Sequence, residues 1–270
     1  EEGRLDEAAK QLDLAGKCEP PAPAWSRTWF TALVNSETAT RKEHFDAVIA
    51  DLERLLDPNS QPRDRGFDFT KDYVVWNRLA NQLFKRRQFE PAGSESGRAF
   101  VLRAVKAAER VLELDAEDVT AHDLLAQCYG ELGELPPAAT NSPLEAAIGI
   151  AVDPKTDRAA RLQASGAVGA GIAKLPSPKL ATIRELLGRF RPAFHAEKDT
   201  EVSAALAGVL AVLHRESHAI YKPDEIARSN ATRIYREKHP AANYAARERV
   251  IYPTTPSHRD AIVKTGNLPQ

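Results

Sequence analysis

The sequence predicts an all-α protein, a helix-turn-helix superhelix followed by a C-terminal helical segment. Three features predict it. Apolar residues recur three and four positions apart rather than in alternation, which is the spacing of one helix face. Large and small residues return at the fixed offsets of paired-helix repeats with a period of about 34 residues. Pro, Gly and Ser gather between the periodic segments, where they stop helices and open turns.

Taken in order, Gly3, Leu5, Ala8, Leu12, Ala15 and Pro20 have the offsets of the second helix of a unit, so the chain is expected to begin inside a repeat. Glu1-Glu2-Gly3-Arg4-Leu5 has neither an initiator Met nor a basic-then-apolar signal, which fits a piece of something longer. Residues 26–58 form a degenerate unit, with Trp29, Phe30 and Leu33 on its first helix and Phe45, Val48, Leu52 and Leu55 on its second. Trp76, Leu79, Ala80 and Leu83 mark a clear first helix. Its partner, carrying Ala104, Ala108, Val111 and Leu114, arrives late, and the excess reads as a loop over 87–97, rich in Pro, Gly and Ser. His122, Leu125, Ala126 and Tyr129 repeat the first-helix pattern. Gly133, Leu135 and Ala138 stand where the second helix of that unit should begin, and Asp153-Pro154 closes it. Small residues let paired axes approach while large ones fill the gaps between units, so these positions specify packing rather than chemistry.

Over residues 1–154 these offsets resemble the tetratricopeptide repeat (TPR) family, with two clear units and two degenerate ones. The resemblance implies a solenoid whose first helices line a concave groove and hold a protein or peptide partner. Groove positions fall one, five, eight and nine after the large residue, which gives Asn77, Asn81, Phe84 and Lys85, then Asp123 and Gln127. Asn81 matches the groove Asn of chaperone-binding members. The Lys and Arg clamp that those members close on a terminal carboxylate is missing, so a ligand with amide and cationic groups fits equally. The competing expectation is that the C-terminal helices of the protein fill the groove themselves.

Residues 155–252 read as a helical region and 253–270 as a polar tail. Over 157–175 the helical spacing is interrupted by Gly166, Gly169 and Gly171, a weak helix unless neighbours pack closely against it. Leu180, Ile183, Leu186, Leu187 and Phe190 predict a helix ending before Pro192. Asp199-Thr200-Glu201 opens the next, with Val202, Leu206, Val209, Leu210 and Leu213 on its buried side. Pro223-Asp224-Glu225 is expected to start a third, reaching about His239, and 241–249 a fourth. The segment from His214 to Pro253 is similar to tails of TPR-bearing bacterial proteins that accompany multihaem cytochromes c. That likeness implies an exported or periplasmic accessory domain of a redox or metal protein, whose partner could be another domain of one longer chain. Haem attachment is not implied, because the chain has no CxxCH.

Composition narrows the function classes. The 270 residues are 43% hydrophobic and 28% charged with net charge -1, a balance with no excess that would draw nucleic acid. The longest apolar stretches, such as 209–213, fall far short of the roughly 20 residues that span a bilayer. Cys18 and Cys128 form no CxxC, and no cofactor motif is present, so no cofactor is expected. Of the seven His, His214 and His218 are four apart on one helix and could share a face as metal ligands. Arg215-Glu216-Ser217 between them is not the HExxH arrangement, and structural roles for both are the better expectation. No nucleophile, base and oxyanion donor can be assembled from local motifs, so the expected activity is binding rather than catalysis.

Overall fold

The computed structural model describes residues 10, 14, 24–60, 68–137, 143–176 and 179–238. The half-repeat expected before Pro20, the helix expected over 241–249 and the polar tail lie outside them. The described residues form nine helices: α1 (Ala24–Thr38), α2 (Lys42–Leu55), α3 (Tyr73–Arg86), α4 (Glu95–Leu114), α5 (Val119–Leu132), α6 (Leu144–Val152), α7 (Arg158–Ala173), α8 (Leu180–Ala196) and α9 (Thr200–Lys238). No strand occurs among the described residues, and no helix among them is long and apolar enough to cross a membrane. The chain divides into two compact units, 1–222 and 223–270.

Local chemistry sets the helix starts. Asp72, Ser94, Asp118 and Asp157 each accept a hydrogen bond from a first-turn backbone N–H, capping α3, α4, α5 and α7. Asp199 does the same for α9, accepting from the Glu201 and Val202 amides at 3.0 Å. α1 packs on α2, α2 on α3, α3 on α4 and α4 on α5, while α3 also touches α5. Short turns join α1 to α2 and α4 to α5, which makes these neighbours antiparallel. One core runs through the first unit, from Ala32 and Val48 through Leu83, Val111, Leu125 and Ile148 to Phe190, Leu210 and Leu213.

The expected helices between 26 and 132 are all present. The loop expected over 87–97 is shorter than read, because α4 already starts at Glu95 and runs 20 residues. Ser94 supplies the cap that allows the earlier start. The second helix expected from Gly133 does not start there among the described residues. Residues 133–137 are instead non-helical, with Pro136 and Pro137 lacking the amides a helix needs; Ala138 lies outside the described residues, among which the following helix is the one at Leu144.

This extended strap explains the glycines of α7 and α9. A Cβ on Gly208 would lie 2.6 Å from the Leu135 nitrogen, and one on Gly166 would lie 2.5 Å from the Pro136 carbonyl oxygen. Gly133 itself meets the Ala204 backbone, and Gly169 meets the Leu135 side chain. Close packing against the strap therefore compensates the weak helix propensity expected over 157–175.

Both prolines read as helix boundaries lie inside helices, Pro192 in α8 and Pro223 in α9. Each is exposed, and so are residues 188 and 219, whose carbonyls lose their N–H partners, so the missing bonds fall on solvent-facing turns. Burial of Phe190 and Phe194 on either side of Pro192 holds α8 continuous.

Buried ion pairs tie the elements together. Lys85-Arg86-Arg87 looks like a solvated helix end in sequence, yet Arg86 is only 3% exposed. Its guanidinium donates to Asp46 at 2.6 Å and to Glu90 at 2.7 Å, and lies 4.6 Å from the Phe100 ring centroid. Hydrogen bonds from Arg86 and Ser96 hold the Glu90 carboxyl down at about 2. Arg161 plays a similar part farther along, donating to the Ala151 carbonyl at 3.2 Å and pairing with Glu197 at 2.6 Å. Both side chains of that pair are nearly inaccessible. We expect Arg161→Met to cost about 2 to 3 kcal/mol in urea denaturation, below the roughly 3 to 5 of a fully stranded buried charge, because the Lys198 and Asp199 amides still serve Glu197. A change within 0.5 kcal/mol would show that the pair carries no stability.

Candidate functional site

The candidate groove residues divide by exposure. Lys85, Asp123 and Gln127 are exposed, while Asn77, Asn81 and Phe84 are half-buried. Asn77 donates through Nδ2 to Asp118 Oδ2 at 3.0 Å, joining α3 to the cap of α5. Its Oδ1 is buried and has no partner among the described residues. Asn81 donates to the Asn77 carbonyl at 3.0 Å, one turn earlier on its own helix. Gln127 donates to Asp123 at 2.8 Å, a four-residue pair on an exposed face of α5. The Arg87 guanidinium lies 3.9 Å from the Phe84 ring centroid and pairs with Glu131 on α5. Lys85 has no ion-pair partner among the described residues. Two ties, Asn77 to Asp118 and Arg87 to Glu131, thus bracket a polar surface shared by α3 and α5.

The C-terminal helices occupy a different side of α5, the one bearing His122 and Tyr129. There the structure assembles a polar and aromatic network that sequence spacing did not indicate. His214 is fully buried and His122 3% exposed, and their Nδ1 atoms are 2.9 Å apart. His122 Nε2 lies 3.2 Å from the Ala116 carbonyl, and Arg191 Nη2 lies 3.5 Å from His214 Nε2. A carbonyl can only accept and a guanidinium can only donate, so the tautomers follow. Arg191 donates to His214 Nε2, His214 Nδ1–H donates to His122 Nδ1, and His122 Nε2–H donates to Ala116. Both rings are neutral. Burial, with Arg191 adding to it, pushes His122 down to about 4 and His214 well below its ordinary value.

Aromatic packing encloses the pair. Tyr129 stacks on His214 with centroids 5.7 Å apart, and Tyr221 stacks on His122 at 5.5 Å. Phe194 meets Tyr129 edge-on at 5.2 Å. The Tyr129 hydroxyl donates to Glu109 at 2.8 Å, and burial pushes that phenol well above its ordinary value. His195 Nε2 reaches the other Glu109 oxygen at 2.9 Å, and Arg191 Nε is 3.8 Å away. Burial raises the Glu109 carboxyl, but the His195, Tyr129 and Arg191 contacts outweigh it and leave the group below its ordinary value.

The face that His214 could share with His218 is not where His214 makes its contacts. His214 turns to His122 on another helix, and both its nitrogens are engaged, so it has none left for a metal. Among the described residues no three His, Cys, Asp or Glu side chains are grouped to hold a metal ion. Cys128 is a buried packing residue whose thiol burial pushes far up. His122 entered the sequence reading only as a large repeat residue; its polar partner lies 92 positions away, beyond any local pattern.

Comparison with family models, curated proteins and solved structures finds no match to this chain.

Proposed function

We propose that the protein is a binding scaffold of the tetratricopeptide kind, holding an extended peptide or a partner domain on the surface shared by α3 and α5. One observation carries the reading. α8 and α9 pack on the His122 and Tyr129 side of α5, while Lys85, Asp123 and Gln127 stay exposed beside it. The helical pairs α1–α2 and α3–α4 supply a rigid frame, and the ties Asn77–Asp118 and Arg87–Glu131 fix α3 against α5. A polar surface whose side chains contribute little to internal packing is suited to recognition. Asn81 and Gln127 present amides able to bond a peptide backbone, with Lys85 and Asp123 offering one charge of each sign.

The test separates binding from stability. A random peptide library panned against the full chain should return sequences that bind the wild type. In an Asn81→Ala, Gln127→Ala double variant their affinity should fall about 5- to 150-fold, two neutral hydrogen bonds at roughly 0.5 to 1.5 kcal/mol each. The melting temperature should stay within about 2 °C. Peptides that bind both proteins equally would reject this surface as the site.

A further inference from the structure

We propose that the His122–His214 pair is an acid-sensitive latch that holds α8 and the buried half of α9 against α5, and that its protonation releases these helices while the α1–α4 pairs stay folded. The inference is independent of the partner-binding reading, since it concerns the opposite commitment of α5.

The latch follows from the direction of the hydrogen bonds. The sequence of donors runs one way, from Arg191 through His214 and His122 to the Ala116 carbonyl. Every ring nitrogen is committed, two as donors and two as acceptors. A proton added at His122 Nδ1 would point at the proton on His214 Nδ1, 2.9 Å away. A proton added at His214 Nε2 would point at the Arg191 guanidinium, itself always charged. Shifting both imidazole tautomers only moves the conflict to the other end. The chain has no place for one more proton.

The surroundings do not relieve this. From α8 the pair faces Arg191 and, at the Tyr221 ring, Arg184, both cations. α9 adds His218, whose positive charge would oppose protonation of His122, and the Tyr221 phenol. α5 presents the Tyr129 ring, and the 115–118 turn brings Glu117 only to Arg184, which it pairs at 3.0 Å. The half-buried carboxylate of Glu109 on α4 is already taken by Tyr129, His195 and Arg191. His195 makes its bond to Glu109 from the protein surface, away from the two buried rings.

The sign is fixed by the depressed folded-state values. Stability from the pair is complete above the ordinary imidazole value near 6.5 and is lost as pH falls toward about 4. Within that window each histidine raises the ratio of open to closed molecules up to about tenfold per pH unit. The junction is the part that yields, since both rings sit between α5 and α9 and neither lies within the α1–α4 pairs.

Two measurements on the unaltered 270-residue chain test this. Long-range nitrogen–proton correlation spectra at pH 7 should show His122 protonated at Nε2 and His214 at Nδ1, with neither titrating near 6.5. Hydrogen exchange, corrected for its intrinsic pH dependence, should accelerate at least tenfold between pH 7 and pH 5 for amides of 180–221 while amides of 73–114 keep their protection. In a His122→Phe, His214→Phe variant, which keeps aromatic packing and cannot titrate, that selective acceleration should disappear. Uniform loosening of the whole chain, no acceleration, or ordinary titration of either ring would overturn the latch; the first two arms need no variant to fold.

Discussion

Replacing Tyr129 by Ala is expected to remove about 5 kcal/mol of stability in urea denaturation. The ring is fully buried, stacked on His214 and met edge-on by Phe194. Truncating a buried aromatic to Ala costs roughly 3 to 5 kcal/mol through lost transfer energy and the cavity left behind. Loss of the hydroxyl adds to this, since a buried acceptor left short of a donor costs roughly 1 to 3 kcal/mol, and Glu109 would keep only His195 and the distant Arg191. Such a sum approaches the entire stability of many domains, about 5 to 15 kcal/mol. Tyr129→Phe isolates the hydroxyl and should cost about 1 to 3 kcal/mol. A Tyr129→Ala cost under 2 kcal/mol would mean that the junction of α5 with α8 and α9 is not closely packed.

A second large effect is expected at Gly208. In a helix Ala is ordinarily favoured over Gly by about 1 kcal/mol, but a methyl here would sit 2.6 Å from the Leu135 nitrogen and 2.7 Å from the Glu134 carbonyl carbon. Those are backbone atoms of the 133–137 strap, which cannot swing aside like a side chain. Gly208→Ala should therefore destabilise by about 2 to 3 kcal/mol, the range of overpacked cores. Gly149 in α6, where an added Cβ meets nothing within 4 Å, is the control. Gly149→Ala should stabilise by a few tenths to about 1 kcal/mol. Thermal or urea denaturation of both variants should give opposite signs, and a neutral Gly208→Ala would show that the strap does not press on α9.

The pattern of what could be read in advance has a physical basis. Helices α1 to α5 were legible because Trp76, Leu79, Ala80 and Leu83, and their counterparts around Leu125, express a local period that packing requires. The glycines of α7 signalled close packing in sequence without naming the neighbour. That neighbour, the strap at 133–137, was missed because its Gly133 and Leu135 matched repeat offsets while the adjoining Pro136-Pro137 forbade the helix they suggested. Pro192 and Pro223 were misread as boundaries, since exposure of residues 188 and 219 is a tertiary property. The groove candidates could be placed on their helices from spacing alone, but not the bonds that Asn77 makes with Asp118. The His122–His214 pair was invisible for a stronger reason: nothing in a local pattern links side chains on α5 and α9.

That separation also orders events in time. The α1–α2 and α3–α4 hairpins join helices adjacent in the chain, contacts that close small loops and form quickly. His122 and His214 meet across 92 residues, and the entropy of closing so long a loop must be spent before any contact at the junction returns it. The helical hairpins are therefore expected to form a folded platform first, with α8 and α9 arriving on it late. Contacts completed only after the rate-limiting barrier slow unfolding without hastening folding. The imidazole junction thus acts chiefly on how long the finished protein persists, and only slightly on how fast it is made.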